Sequence, residues 1–389
     1  MLLRPLSLLI ALMCVPFVGA GCGIPDEDRP DTEVDAGSDG GDLPDDGGDS
    51  PGEGEDEEDD PHAEADIDWD FGAPISVPLE TWTYVPIEGA RCANGTDTGV
   101  AVNFTDRSDD LVVFMAPGGA CWDSLTCFIL RSASHLEDTM QGQVVVDEAI
   151  ALGPLFSRSP ESPFRDVNMV YVPYCTGDVH AGTRMASYRF GDEDRAVHHV
   201  GGTNIRRLLE RLVPTFPEAE RVWFAGASAG GFGATYNWWV AQDAFPDARV
   251  DVLDDGAAPV DFLAARFSAM MDTWDPESPP GCSACRLQLS ALLPYYAARY
   301  PPPHRFALLT STRDEVIVGF SGLTSATFEN GVGLLRDAAG PGQKTFYVPG
   351  TAHVLLAQNP MLVSPEGVST YEWLWQFVTD DPQWDHQGD

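Results

Sequence analysis

Three residue types that together turn a hydroxyl into a nucleophile occur in a telling order along this chain. The first is Ser228, within Val222-Trp223-Phe224-Ala225-Gly226-Ala227-Ser228-Ala229-Gly230-Gly231. Gly226, Ser228 and Gly230 fit G-x-S-x-G, the pattern of a sharp strand-to-helix turn that lifts a serine hydroxyl out of the fold. Small neighbours are needed because such a turn holds its serine in a strained backbone conformation. The hydroxyl remains a poor nucleophile until a base takes its proton, usually a histidine oriented by a carboxylate. With a serine on an elbow of this kind, the acid and then the histidine follow in the chain.

Of the eight histidines, only His353 stands correctly, just past the apolar run 345–348 and Pro349-Gly350-Thr351-Ala352. His62 lies in an acidic N-terminal stretch and His386 at an acidic terminus, while His135, His180, His198, His199 and His304 precede Ser228 or sit in helical or proline-rich connections. Two carboxylates lie between serine and histidine at the ends of apolar runs, Asp314 after 305–310 and Asp255 after 250–253. Asp314 is preferred, because an acid after the seventh of eight strands is the commoner seat when the elbow follows the fifth. Asp255 stays open as the alternative acid. A tetrahedral intermediate also needs backbone N–H donors. Ala229, following the serine, supplies one, and the loop Gly118-Gly119-Ala120 after an early strand fits the other.

The elements that must position these residues alternate. Continuous apolar runs at 110–116, 167–173, 222–225, 249–254, 305–310 and 344–348 read as buried strands, with 75–86 and 99–104 as further strand candidates. Helical patterns at 204–213, 234–241 and between 255 and 305 separate them. Strands alternating with helices imply a mainly parallel sheet with helices on both faces, three layers in all. In such sheets the loops at the carboxyl ends of the strands carry the chemistry. One folded domain is expected over 68–389.

The rest of the chain bounds the setting. Formal net charge is −39, and roughly half of it lies between Asp26 and Asp70, where 22 acidic residues face Arg29 alone. Such a field repels nucleic acid. Residues 22–67 hold too little apolar surface to offset the entropy of ordering, and read as an acidic, disordered linker. Residues 1–21 read as a signal peptide, with Arg4, an apolar run from Leu6 to Val18 and small residues before Cys22. That arrangement is similar to a bacterial lipoprotein signal. It makes Cys22 a lipidation candidate and a route to membrane attachment, and places the chain outside the cytoplasm. Six further cysteines, Cys92, Cys121, Cys127, Cys175, Cys282 and Cys285, favour disulfides in an exported chain, in any of fifteen pairings. No Walker lysine, H-E-x-x-H or EF-hand spacing is present, so neither a cofactor nor a metal is expected. The sequence sets no oligomeric state.

Several stretches jointly resemble the pectin acetylesterase/Notum family of serine carboxylesterases: Pro117-Gly118-Gly119-Ala120-Cys121-Trp122, Asn168 to Asp178, Gly226 to Gly231, and Asp254-Asp255-Gly256. The resemblance implies an α/β-hydrolase fold, a Ser228–His353–Asp314 triad and oxyanion donors at Gly119, Ala120 and Ala229. It also implies disulfides Cys92–Cys175 and Cys121–Cys127, leaving Cys282–Cys285. This chain departs from the family at Ala120, where an aromatic is usual, and at Arg313-Asp314-Glu315-Val316. The expected substrate is an acylated carbohydrate, first of all an O-acetylated polysaccharide such as pectin. Longer acyl esters on protein or lipid are the alternative. Acyl transfer to another acceptor, and a non-catalytic surface binding protein retaining the fold, also remain open.

Overall fold

A computed structural model describes residues 59–358 and 361–388. The signal-peptide reading of 1–21, Cys22 and most of the acidic stretch lie outside the described residues. Among the described residues ten strands are formed: β1 (Thr83–Arg91), β2 (Asp97–Asn103), β3 (Leu111–Met115), β4 (Asn168–Val172), β5 (Arg184–Phe190), β6 (Glu193–His199), β7 (Arg221–Ala227), β8 (Arg249–Asp255), β9 (Phe306–Ser311) and β10 (Gln343–Val348). Eight of them make one sheet in the order β1-β2-β4-β3-β7-β8-β9-β10. The pairs β1–β2 and β2–β4 are antiparallel, and every pair from β4 to β10 is parallel.

The central strands read as unbroken apolar runs because both faces are covered. Residues alternate between two cores across the sheet. Leu111, Val113 and Met115, with Val222 and Phe224, face the helix Gly201–Thr215 through Ile205, Leu208 and Leu212. Val112, Phe114, Trp223 and Leu309 face the other side, where the helices Gln143–Ala151 and Thr370–Val378 bring Val145, Ala149, Trp373 and Phe377. The result is the three-layer α/β arrangement expected. The β5–β6 hairpin, not among the strands read from the sequence, forms a separate two-stranded sheet that takes in His198 and His199.

One boundary differs from the sequence reading. Asp59–Ile67, assigned to the linker, is docked on the domain: Ser283 donates to Asp59 through both its N–H and its hydroxyl at 2.7 Å, and Arg299 donates to the Pro61 and Ala63 carbonyls. Ala65 and Ile67 pack on the core, so hydrophobic contact outweighs local acidity here. The C-terminus is also held, with the Gln387 N–H donating to Thr345 and the Tyr347 N–H to Gln387. The disulfides are Cys92–Cys175, Cys121–Cys127 and Cys282–Cys285, the set implied by the resemblance. Among the described residues no helix is long and apolar enough to cross a membrane.

Candidate active site

Parallel strands put their carboxyl ends on one edge of the sheet, and five of them deliver the residues singled out above. At the end of β7, Ser228 has φ 52° and ψ −119° and caps the helix Ala229–Tyr236. The backbone crossing is too tight for side chains. A Cβ at Gly226 would sit 2.1 Å from the Gly230 carbonyl oxygen, and one at Gly230 would sit 2.0 Å from that of Met115. The glycines of the motif are therefore steric requirements of the elbow.

His353 follows β10 and Asp314 follows β9, its neighbour in the sheet. The imidazole bridges the two other groups: Nε2 lies 2.8 Å from Ser228 Oγ, and Nδ1 lies 2.7 Å from Asp314 Oδ2. Asp314 is fully buried, and its other oxygen accepts the N–H groups of Val316 and Ile317 at 3.0 and 3.1 Å, capping the helix Glu315–Ser321. Backbone bonds from Arg313 to Gly350 and from Glu315 to Thr351 tie the acid loop to the histidine loop. One carboxylate is thus fixed by its own helix while it faces the imidazole.

Asp255 takes a different place. Its carboxylate accepts the Leu355 and Leu356 N–H groups at 2.7 and 2.9 Å, behind the histidine rather than at Nδ1. The adjacent Asp254 accepts Thr235 Oγ1 and the Ala257 N–H. Burial pushes the carboxyl of Asp254 up to about 7 and that of Asp255 up to about 6.

The glycine loop corrects one expectation. The Ala120 N–H donates to the Ser132 carbonyl at 3.0 Å, so it is already satisfied. The Gly118 carbonyl accepts the Ser134 N–H at 2.8 Å, which turns the opposite end of that planar peptide, the Gly119 N–H, the other way. Gly119 and Ala229 line the same cavity as Ser228, and among the described bonds neither N–H has a protein acceptor. Tyr174, not singled out beforehand, holds this loop: its hydroxyl donates to the Gly119 carbonyl at 2.7 Å and accepts the Val179 N–H.

From Ser228 opens a cavity that continues to solvent. Its walls are almost wholly apolar. Phe262 and Phe320 contribute, as do Phe267, Met271 and Trp274 of the helix Ala264–Trp274, and Leu292 opposite. Pattern reading marked this stretch only as helix-rich, because core-facing and cavity-facing apolar residues look alike in sequence. Chemically, the ensemble can deprotonate a serine, hold a negative charge beside it and receive an apolar chain.

Comparison with known proteins gives the fold and the family. The solved structure of the Wnt deacylase Notum from Drosophila superposes with a TM-score of 0.56 at 17% identity, covering 77% of this chain and 93% of that one; this likeness concerns the fold. Palmitoleoyl-protein carboxylesterase notum2 of Xenopus laevis is 30% identical over 158 residues, 38% of this chain and 29% of its own length. The NOTUM protein of Schmidtea mediterranea is 26% identical over 152 residues, 38% of this chain and 27% of its own length. The chain thus spans about a third or less of the length of the curated relatives it matches. The pectinacetylesterase family model matches residues 75–274, more than half of the sequence, with the glycine loop, elbow and Asp255 turn inside it, and the chain belongs to that family.

Proposed function

We propose that the protein is an exported serine carboxylesterase whose acyl-binding side is the apolar cavity beside Ser228. The observation that supports it most is His353, within hydrogen-bond reach of both Ser228 Oγ and Asp314 at the mouth of that cavity. His353 Nε2 takes the serine proton as Oγ bonds to the ester carbonyl carbon. Asp314 orients the ring and stabilises the imidazolium. The carbonyl electrons move onto oxygen, which the Gly119 and Ala229 N–H groups stabilise. Collapse of the tetrahedral adduct breaks the ester C–O bond, and the departing alcohol takes the proton from Nε2. Water then gives its proton to His353, attacks the acyl-serine, and releases the carboxylic acid with Ser228 restored.

The cavity supports an acyl group longer than acetyl, which agrees with the palmitoleoyl substrate in the names of the relatives. A second reading, removal of O-acetyl groups from a polysaccharide, is supported by the family description. Acyl transfer would proceed through the same acyl-enzyme with another acceptor in place of water. p-Nitrophenyl esters test the reaction: turnover should vanish in Ser228→Ala and His353→Ala, and equal rates in either variant would end the proposal. A fluorophosphonate should label wild type and not Ser228→Ala, which separates an enzyme from a binding protein that only retains the fold.

Export rests on the signal-like N-terminus and fits three disulfides, which persist in oxidising compartments. Lipidation at Cys22 predicts incorporation of labelled fatty acid that is lost in Cys22→Ser.

A further inference from the structure

Asp255 makes contacts that tie together the two loops on which the proposed chemistry depends. Its own carbonyl accepts the Ser228 N–H at 2.9 Å. Its two carboxylate oxygens accept the N–H groups of Leu355 and Leu356, the second and third residues after His353. Between His353 and those amides stands Val354, with φ +58°. A β-branched residue is strained there, and such a conformation persists only where the surroundings over-determine it. Gln358 contributes by donating to the carbonyls of His353 and Val354 at 2.8 and 3.0 Å. The stronger restraint is the buried carboxylate, whose bonds to the amides are charge-assisted.

We propose that Asp255 is a positioning residue that locks the strained turn after His353 to the backbone of Ser228, holding Nε2 opposite Oγ. The proposal rests on the Ser228–His353–Asp314 reading. The hydrogen bonds of the Asp255 carboxylate go to this loop and not to the imidazole, so it is no substitute for Asp314. Asparagine in its place keeps one acceptor and turns an amide N–H₂ toward the other backbone N–H, which opens that side of the lock. The strain at Val354 then drives the turn away from its working geometry.

The test uses the full-length chain with D255N, V354G and the double variant, with kcat and KM for a p-nitrophenyl ester. Rates are expressed per serine titrated by a fluorophosphonate, so that loss of folded protein does not register. D255N should lower kcat by about 10²-fold, the scale of an ångström-sized misplacement, with KM little changed. V354G should behave much like wild type, because glycine adopts positive φ freely. The double variant should regain most of the V354G rate. Wild-type kcat in D255N overturns the proposal, as does an equal fall in both backgrounds, since Asp255 would then act otherwise than through the turn. If D255N alone does not fold, an active double variant supports the proposal, and an inactive or unfolded one overturns it. Inactive wild type, or activity that survives Ser228→Ala, instead sinks the triad reading itself.

Discussion

Lengthening the acyl group should test the cavity directly. Between an acetyl and an octanoyl ester lie six methylenes, each worth about 0.8 kcal/mol when moved from water to an apolar surround. Full burial would total about 5 kcal/mol, a ceiling of some 4 × 10³-fold in kcat/KM. Freezing the chain's rotamers takes back part of this, so an advantage of roughly 10²-fold is expected. The cavity walls offer Phe262, Phe267, Met270, Met271 and Trp274 with few polar groups to desolvate. The perturbation to pair with this series is Leu292→Trp. Leu292 is buried, lines the cavity, and begins the helix Leu292–Arg299, outside the loops that carry Ser228, Asp314 and His353. A larger ring there should shorten the accepted chain and leave acetyl turnover near wild type. Initial rates on p-nitrophenyl acetate, butyrate, hexanoate and octanoate, with melting temperature as a control for overpacking, give the answer. A wild-type profile that is flat or falls beyond acetate refutes the reasoning, and so does an unaltered profile in the variant.

Other outcomes follow from single contacts. Asp314→Asn should cost about 10⁴-fold in kcat, far more than D255N, because it loses control of the imidazole tautomer; comparable losses in both would contradict the assignment of the acid. Asp254 takes up a proton on folding at pH values between its ordinary 3.8 and about 7, because burial disfavours its charge. Its contribution to stability is therefore greatest at low pH and declines as pH rises through that window. D254N should remove the decline: the Thr235 hydroxyl can turn to accept from the new amide, and the variant's melting temperature relative to wild type should climb between pH 5 and 8. A constant difference across that range would refute it. Buried His180 and His199, both pushed down to about 4, titrate in both proteins and cancel in this comparison. Finally, alanine at Cys92 and Cys175 removes a crosslink spanning 83 residues and should cost about 4–5 kcal/mol, against about 2 kcal/mol for the short Cys282–Cys285 bridge. Denaturant unfolding measures both, and the reverse order would contradict the chain-entropy account.

Much of the fold was legible because the central strands lie between two helical layers. Burial on both faces makes 111–115, 222–225 and 306–309 read as unbroken apolar runs, a signal that needs no knowledge of partners. The β5–β6 hairpin escaped because its residues are mostly exposed or half-buried and carry no such run. The docked segment Asp59–Ile67 escaped because its acidic composition masks specific contacts to Ser283 and Arg299, both distant in sequence.

The amino-acid sequence by itself determined the elbow and the order of the chemistry. The steric limits around Gly226, Ser228 and Gly230 act over a few residues, so local spacing carries them. The choice between two acids belongs to the tertiary structure. Asp255 ends β8, beside the strand of Ser228, whereas Asp314 follows β9, beside the strand that leads to His353. Strand order, set by packing over the whole sheet, brings Asp314 to Nδ1 and puts Asp255 behind the loop. The same holds for the proposed oxyanion donors. Gly119 and Ala120 are neighbours in the chain, but only the fold brings Ser132 against Ala120 and leaves the Gly119 N–H without an acceptor among the described bonds, in the cavity that Ser228 lines. The acyl cavity is the extreme case, since its walls come from segments between 119 and 320 whose apolar residues meet only once the sheet has formed.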